Sequence, residues 1–287
     1  MMDVRPHRSA LYMPASNARA IEKARALPCD VVILDLEDAV SPEEKAAARQ
    51  SALDAVSAGG FGQRKVVIRI NALETQWGAD DLRAVRTSGV DAVLIPKIAG
   101  ASCFSQVRDL IGPGLPVWGM IENADAVLHL AEIAAAAPDL GVAALVAGTN
   151  DLAKELRCQP GSSRAPLLPL LSLLVAAARS AGILALDGVS NKLDDEKSFA
   201  EECEQGLEWG FDGKTLIHPS QIAPANRVFT PDPREVEWAR KIVTAFRAPE
   251  NAGRAVIRLE GKMIELLHRD VAERTLRIAE QCGALTG

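Results

Sequence analysis

Short runs of β-branched and aliphatic residues alternate along the chain with alanine-rich segments of helical periodicity, the rhythm of repeated βα units around a parallel sheet. The runs at 9–13, 31–36, 65–70, 92–96, 116–121, 141–147, 183–186 and 212–216 predict eight strands. Helices are predicted between them at 17–27, 42–57, 79–87, 101–111, 124–137, 167–181 and 194–209. Ser16 can cap the first of these and Ser41 the second, with Pro42 in its first turn. Eight such units close into a TIM barrel. An open doubly wound sheet would stop at five or six strands and show a glycine-rich first turn, and neither GxGxxG nor a P-loop pattern occurs. The expected architecture is therefore an α/β TIM (β/α)8 barrel over 1–218, followed by a C-terminal helical extension over 219–287 with helical segments at 219–247 and 253–287. That extension is longer than barrel closure needs, so it should either cover its own barrel mouth or pack on a neighbouring subunit.

Composition narrows the partners. At 287 residues the chain suits one barrel with an appendage. Its 48% hydrophobic content and 24% charge are those of an ordinary globular protein. A net charge of -6 argues against a surface built to neutralise nucleic-acid phosphates. Five scattered cysteines, Cys29, Cys103, Cys158, Cys203 and Cys282, form no CxxC pair or zinc-spaced cluster and read as free thiols in a reducing compartment. With no signal-like N-terminus and no apolar run of membrane-spanning length, a cytoplasmic, non-membrane protein is expected.

Catalytic groups of a TIM barrel come from the C-terminal ends of its strands. Here those ends carry Asp35, Glu37 and Asp38, then Arg69 and Asn71, Lys97, Glu122 and Asn123, Asn150 and Asp151, Asp187, and Lys214. Carboxylates gathered there without histidine or cysteine ligands suit a hard, oxygen-preferring cation such as Mg2+. Glu122 and Asp151 are the expected ligands, against the plainer reading of buried carboxylates paired with a barrel lysine or arginine. Arg69 is placed to donate to a developing negative charge, to pair with Glu37 or Asp38, or both. Glu37 and Asp38 are expected to orient Arg69 and accept from metal-bound water rather than ligate directly. Asp35 should point away from its neighbour Leu36 and be structural. Lys97 either contacts substrate or neutralises the carboxylates. Asp187 is either a substrate contact or half of an Asp-Gly turn. His218 is either a base or a tether for the extension. Among the N-terminal basic residues, Arg19 is the candidate for a phosphate-bearing substrate.

The motifs LDLEDAV (34–40), VIRIN (67–71), IPK (95–97), MIE (120–122), AGTNDLA (147–153) and GFDGKTLIHPSQI (210–222) occur in this order, and together they resemble the citrate lyase beta-subunit-like family. That family sits in the superfamily of malyl-CoA lyase, citramalyl-CoA lyase and the HpcH/HpaI aldolases, and the resemblance runs from about residue 9 to 265. It implies a barrel whose C-terminal extension is exchanged within a homotrimer or hexamer, a Mg2+ held by Glu122 and Asp151, and a substrate-contacting Arg69. The implied reaction is retro-Claisen cleavage of a 3-hydroxyacyl thioester, with Mg2+ as Lewis acid and template. Two alternatives accompany it. One is a citrate lyase beta subunit acting on an acyl-carrier-protein thioester beside alpha and acyl-carrier subunits; the other is an acyl-CoA thioester hydrolase. Relatives resembling malyl-CoA lyase carry a GKMxD-like motif in the extension, and here Gly261–Lys262–Met263–Ile264–Glu265 replaces its aspartate with Glu265. The longer arm makes Glu265 either a retuned acid/base group or an ordinary surface residue.

Overall fold

A computed structural model describes residues 5–284. Eight parallel strands close a barrel in sequential order: β1 (Ser9–Pro14), β2 (Val31–Asp35), β3 (Lys65–Arg69), β4 (Ala92–Ile95), β5 (Val117–Ile121), β6 (Val142–Ala147), β7 (Leu184–Asp187) and β8 (Gly213–Leu216). Closure is made by β1 against β8, with Ser9, Ala10 and Leu11 in register with Lys214, Thr215 and Leu216. Strands covered by helices outside and by one another inside need apolar residues on both faces. Accordingly β2 and β3 are buried at every position. Small residues inside the barrel, Ala10, Ala92 and Ala144, make room for Trp118 and for the branched chains of Val31, Ile33, Leu94 and Val146.

The helical ring departs from the sequence reading at identifiable points. Asn17, not Ser16, caps helix Ala18–Ala24, accepting from the backbone N–H of Ala20 at 3.0 Å. Ser41 precedes a short 3-10 turn, Pro42–Glu44, and its hydroxyl goes to the Glu44 carboxylate rather than to a helix N–H. The predicted helix 124–137 is broken into Ala124–Leu128 and Leu130–Ala136 at His129, whose backbone leaves the helical region and whose Nδ1 lies 2.7 Å from the Asp125 carbonyl. A short helix absent from the sequence reading, Thr149–Glu155, follows β6 and carries Asp151 in its first turn.

Two compact units are present, divided at Asn226/Arg227 rather than at 218/219. The barrel unit keeps 219–226 because the Asn226 side chain accepts from Ser9 Oγ and donates to the Pro28 carbonyl, each at 2.7 Å, while Ile222 and Ala225 are buried. The second unit contains helix Pro233–Arg247, capped by Asp232 and Glu235. The expected helix over 253–287 is instead an antiparallel hairpin, β9 (Val256–Leu259) and β10 (Lys262–Glu265), followed by helix Leu266–Gln281. Its own core contains Ala239, Ile242, Val243, Ile257, Ile264 and Ala272. No helix among the described residues is long and apolar enough to cross a membrane, and no cysteine is in a disulfide.

Candidate active site at the barrel mouth

The C-terminal ends of the strands surround a cleft of about 340 Å³, within the range of small-molecule sites. Its wall includes Tyr12 and Pro14 from β1, Asp35, Asp38 and Ala39 from the end of β2, Arg69 from β3, and Met120 and Glu122 from β5. Residues 147–151, Val189 and Ile217 complete it from β6, β7 and β8.

Arg69 is held on several sides. Its Nε and Nη2 donate to the two oxygens of Asp35, each at 2.7 Å, while Nη1 lies 2.9 Å from Glu37 and 3.2 Å from Asp38. The guanidinium also sits over the Tyr12 ring, 4.9 Å from its centroid. Asp35 is fixed in turn by the backbone N–H groups of Glu37 and Ala39. Asp35 is thus structural, as expected, and it is also the principal partner of Arg69 and part of the cleft wall, neither of which strand alternation alone reveals. Asp35 and Arg69 are register partners on adjacent parallel strands, so their side chains leave the same face. Glu37 stands behind Arg69, outside the wall, and burial pushes its carboxyl up to about 8 against the pull of Arg69.

Glu122 and Asp151 are brought together by Lys97. The Lys97 ammonium donates to Asp151 Oδ2 at 2.6 Å and lies 3.5 Å from Glu122 Oε2, while its backbone N–H donates to Glu122 Oε1 at 2.6 Å. Lys97 therefore neutralises the carboxylates, one of its two expected roles. Its left-handed backbone, φ 54°, aims both its N–H and its side chain at the pair. Burial would lower the Lys97 pKa, but the carboxylates outweigh it and push it up to about 12. Burial also raises Glu122 to about 7, opposed by Lys97. At Asp151 burial is outweighed by Lys97, which holds that carboxyl below its ordinary value. Glycine is required at 148: a Cβ there would lie 2.3 Å from Glu122 Cβ, so only Gly148 lets the β6 loop carry Asp151 down against Glu122.

These residues fit a divalent ion. Glu122 Oε2 is buried and makes no hydrogen bond, the Lys97 ammonium standing 3.5 Å away as an ion pair, so it has lone pairs left for a metal ion. Among the described residues no cluster of three or more His, Cys, Asp or Glu side chains is poised for a metal. Two carboxylates with the remaining positions left to water and substrate oxygens is the Mg2+ pattern rather than a zinc or calcium cage.

Other candidates lie elsewhere. Asp187, fully buried, is outside the wall and pairs at 2.8 Å with both Arg164 and Lys214, so its expected substrate contact is replaced by a closed ionic cluster that Glu202 completes. Arg164 comes from the polar stretch 159–164, which lies between helix Thr149–Glu155 and helix Leu168–Ala181. Arg19 is exposed on helix Ala18–Ala24, outside the wall. The His218 Nδ1 accepts from the backbone N–H of Ser220, capping the turn Pro219–Gln221. Glu265 is exposed in the second unit, its backbone N–H donating to His268 Nδ1 at 3.0 Å.

Comparison with known proteins adds independent findings. The HpcH/HpaI aldolase/citrate lyase family matches residues 8–219. The chain is 44% identical over 279 residues to a (3S)-malyl-CoA thioesterase of Cereibacter sphaeroides, covering 97% of this chain and 96% of that one. It is 33% identical over 289 residues to the citrate lyase subunit beta of Escherichia coli, covering 97% and 95%. Among solved structures, Mycobacterium tuberculosis CitE in complex with magnesium, acetoacetate and coenzyme A superposes with a TM-score of 0.77 at 32% identity, covering 96% of this chain and 98% of that one.

Proposed function

This chain belongs to the HpcH/HpaI aldolase/citrate lyase family, and from that premise we propose that it is a Mg2+-dependent enzyme hydrolysing the CoA thioester of a short 3-hydroxy dicarboxylic acid of the malyl type. The observation that carries this reading is the 44% identity over nearly the whole of both chains to a (3S)-malyl-CoA thioesterase, against 33% to a citrate lyase beta subunit. That order moves hydrolysis ahead of carbon–carbon cleavage, which the motifs alone had put first. Glu122 and Asp151 would hold the ion, a role supported by the buried Glu122 oxygen that makes no hydrogen bond and by the magnesium of the CitE complex. When bound, Mg2+ supplies Lewis-acid polarisation and alignment of substrate oxygens.

The chain's own groups do the rest. Lys97 offsets the charge of the carboxylate pair. Arg69, oriented by Asp35 and Glu37, donates an N–H to the thioester oxygen as negative charge develops there. Asp38 stands in the wall beside Arg69 and takes the proton from the attacking water. The thiolate of CoA leaves and the free acid remains. Glu265 is the second candidate for proton transfer, delivered by the extension of a neighbouring copy in a homotrimer or hexamer.

Carbon–carbon cleavage stays as the second reading, favoured by a site whose fixed arginine and metal carboxylates equally suit an enolate and a departing keto acid. Malyl-CoA with Mg2+ separates the two. Hydrolysis yields malate and one free thiol per turnover; cleavage yields glyoxylate and acetyl-CoA with no free thiol. Neither product set from a panel of malyl-, citramalyl- and citryl-CoA sinks both readings. Glu265→Gln should lower kcat with KM unchanged if the extension serves a neighbour's site, and should change nothing if Glu265 is a surface residue.

A further inference from the structure

Granted the reading above, that the cleft takes a short 3-hydroxyacyl thioester, the division of its wall constrains the acyl group. The strands follow one another in order around a closed barrel, so each wall residue can be placed on an arc. Every charged wall residue, Asp35, Asp38, Arg69, Glu122 and Asp151, comes from the arc between β2 and β6. The remaining arc, β7 to β8 to β1, contributes Val189, Ile217, the Tyr12 ring and Pro14.

The apolar arc does not reflect a lack of charge in its strands. Asp187 ends β7 and Lys214 lies in β8, but they meet each other 2.8 Å apart with no exposed surface, and Arg164 and Glu202 close the cluster. Their charge is consumed away from the cleft. Ile217 is left 40% exposed on the wall. Its backbone N–H donates to Gln221 Oε1 at 3.0 Å, and Gln221 Nε2 donates to the Ser190 carbonyl at 2.9 Å. One glutamine thus ties Ile217 to the residue after Val189, fixing the two aliphatic groups relative to each other.

We propose that Val189 and Ile217 are specificity-determining residues that select an acyl group bearing a methyl or other small alkyl substituent, seated on the apolar arc while the acyl oxygens face the charged arc. The pantetheine arm suits the Val189 and Ile217 side chains less well, because its amides would lie there against groups offering neither donor nor acceptor. One methyl group in such a pocket typically discriminates by about tenfold or more.

Calorimetric titration of the full-length protein in Mg2+ with malate, 2-methylmalate and 3-methylmalate tests this without turnover. One methylated acid is expected to bind about tenfold tighter than malate. Ile217→Ala and Val189→Thr should each bring that ratio to within about twofold, with wild-type circular dichroism and thermal unfolding recording that the variants are folded. Equal affinities in the wild type, no binding of any of the three acids, or a preference that survives both substitutions overturns the proposal. So does an equal loss of affinity for all three, which would place the residues against a part the acids share. Selective acid binding with neither hydrolysis nor cleavage of any thioester defeats the proposed activity and leaves the selection standing; turnover without acid discrimination does the reverse.

Discussion

Arg69 faces the cleft with its guanidinium shared among Asp35, Glu37 and Asp38. A planar fork on a bidentate carboxylate is a geometry that lysine cannot reproduce. Arg69→Lys should therefore lower kcat/KM by about 10²- to 10³-fold, the usual effect of losing a preorganised donor. A loss under about threefold would mean that Arg69 serves only to balance its carboxylates. Glu122→Gln removes one charge from the Lys97-bridged pair and should abolish Mg2+ binding by calorimetry; undiminished binding would remove Glu122 from the site. The positions of Arg69, Glu122 and Asp151 were legible because strand ends are where barrels place chemistry. What the sequence reading lacked was register. Asp35 lies beside Arg69 and Asp187 beside Lys214 on adjacent strands, and charges so placed neutralise each other before any substrate arrives. Neither relation can be seen until the strands are aligned.

At the scale of elements, eight short apolar runs were enough to specify eight strands, because a strand buried on both faces needs little besides β-branched and aliphatic residues. The extension has the two long helices expected of it, Pro233–Arg247 and Leu266–Gln281, but its hairpin is not legible, for the opposite reason. Its hairpin is half-exposed and polar, with Ile257 and Ile264 as its buried positions. Those two are direct cross-strand partners, and the turn between the strands has Glu260 and Gly261 both at positive φ, 48° and 81°. Two consecutive positive φ values make the tight turn that matches strand twist, and an x-Gly pair is its sequence mark. Ile264→Ala should cost about 2–5 kcal/mol in the stability of this unit, since its apolar core is small. Gly261→Val should cost about 1–2 kcal/mol, through backbone strain alone. Denaturant unfolding followed together with proteolysis after residue 226 measures both. If the glycine variant proved the more damaging, the turn rather than the core would be holding the unit together.

Across the whole molecule, the cluster of Asp187, Lys214, Arg164 and Glu202 is the largest concentration of buried charge the structure describes away from the cleft. Burial alone would raise the Asp187 carboxyl, but Lys214 and Arg164 outweigh it and hold it below its ordinary value of 3.8. Burial alone would likewise lower Lys214, but Asp187 and Glu202 outweigh it and hold it above 10.5. The signs follow from linkage. A depressed carboxyl stabilises the fold above its unfolded value and loses that contribution as pH falls through its folded value, so Asp187 predicts an acid limb below pH 3.8. A raised lysine stabilises fully below its unfolded value and loses its contribution as pH rises through its folded value, so Lys214 predicts an alkaline limb above pH 10.5. Removing one partner strands the others in a low-dielectric interior. Lys214→Met should therefore cost about 3–5 kcal/mol at neutral pH and abolish the Lys214 share of the alkaline limb. Replacing both members with apolar residues, as in Lys214→Met with Asp187→Leu, should recover part of that loss, because the paired charges cost desolvation as well as supplying attraction. Urea unfolding of the two single variants and the double variant across pH decides the matter. A Lys214→Met variant within about 1 kcal/mol of wild type would mean that water reaches the cluster and that the charges of β7 and β8 are not sealed away from the cleft.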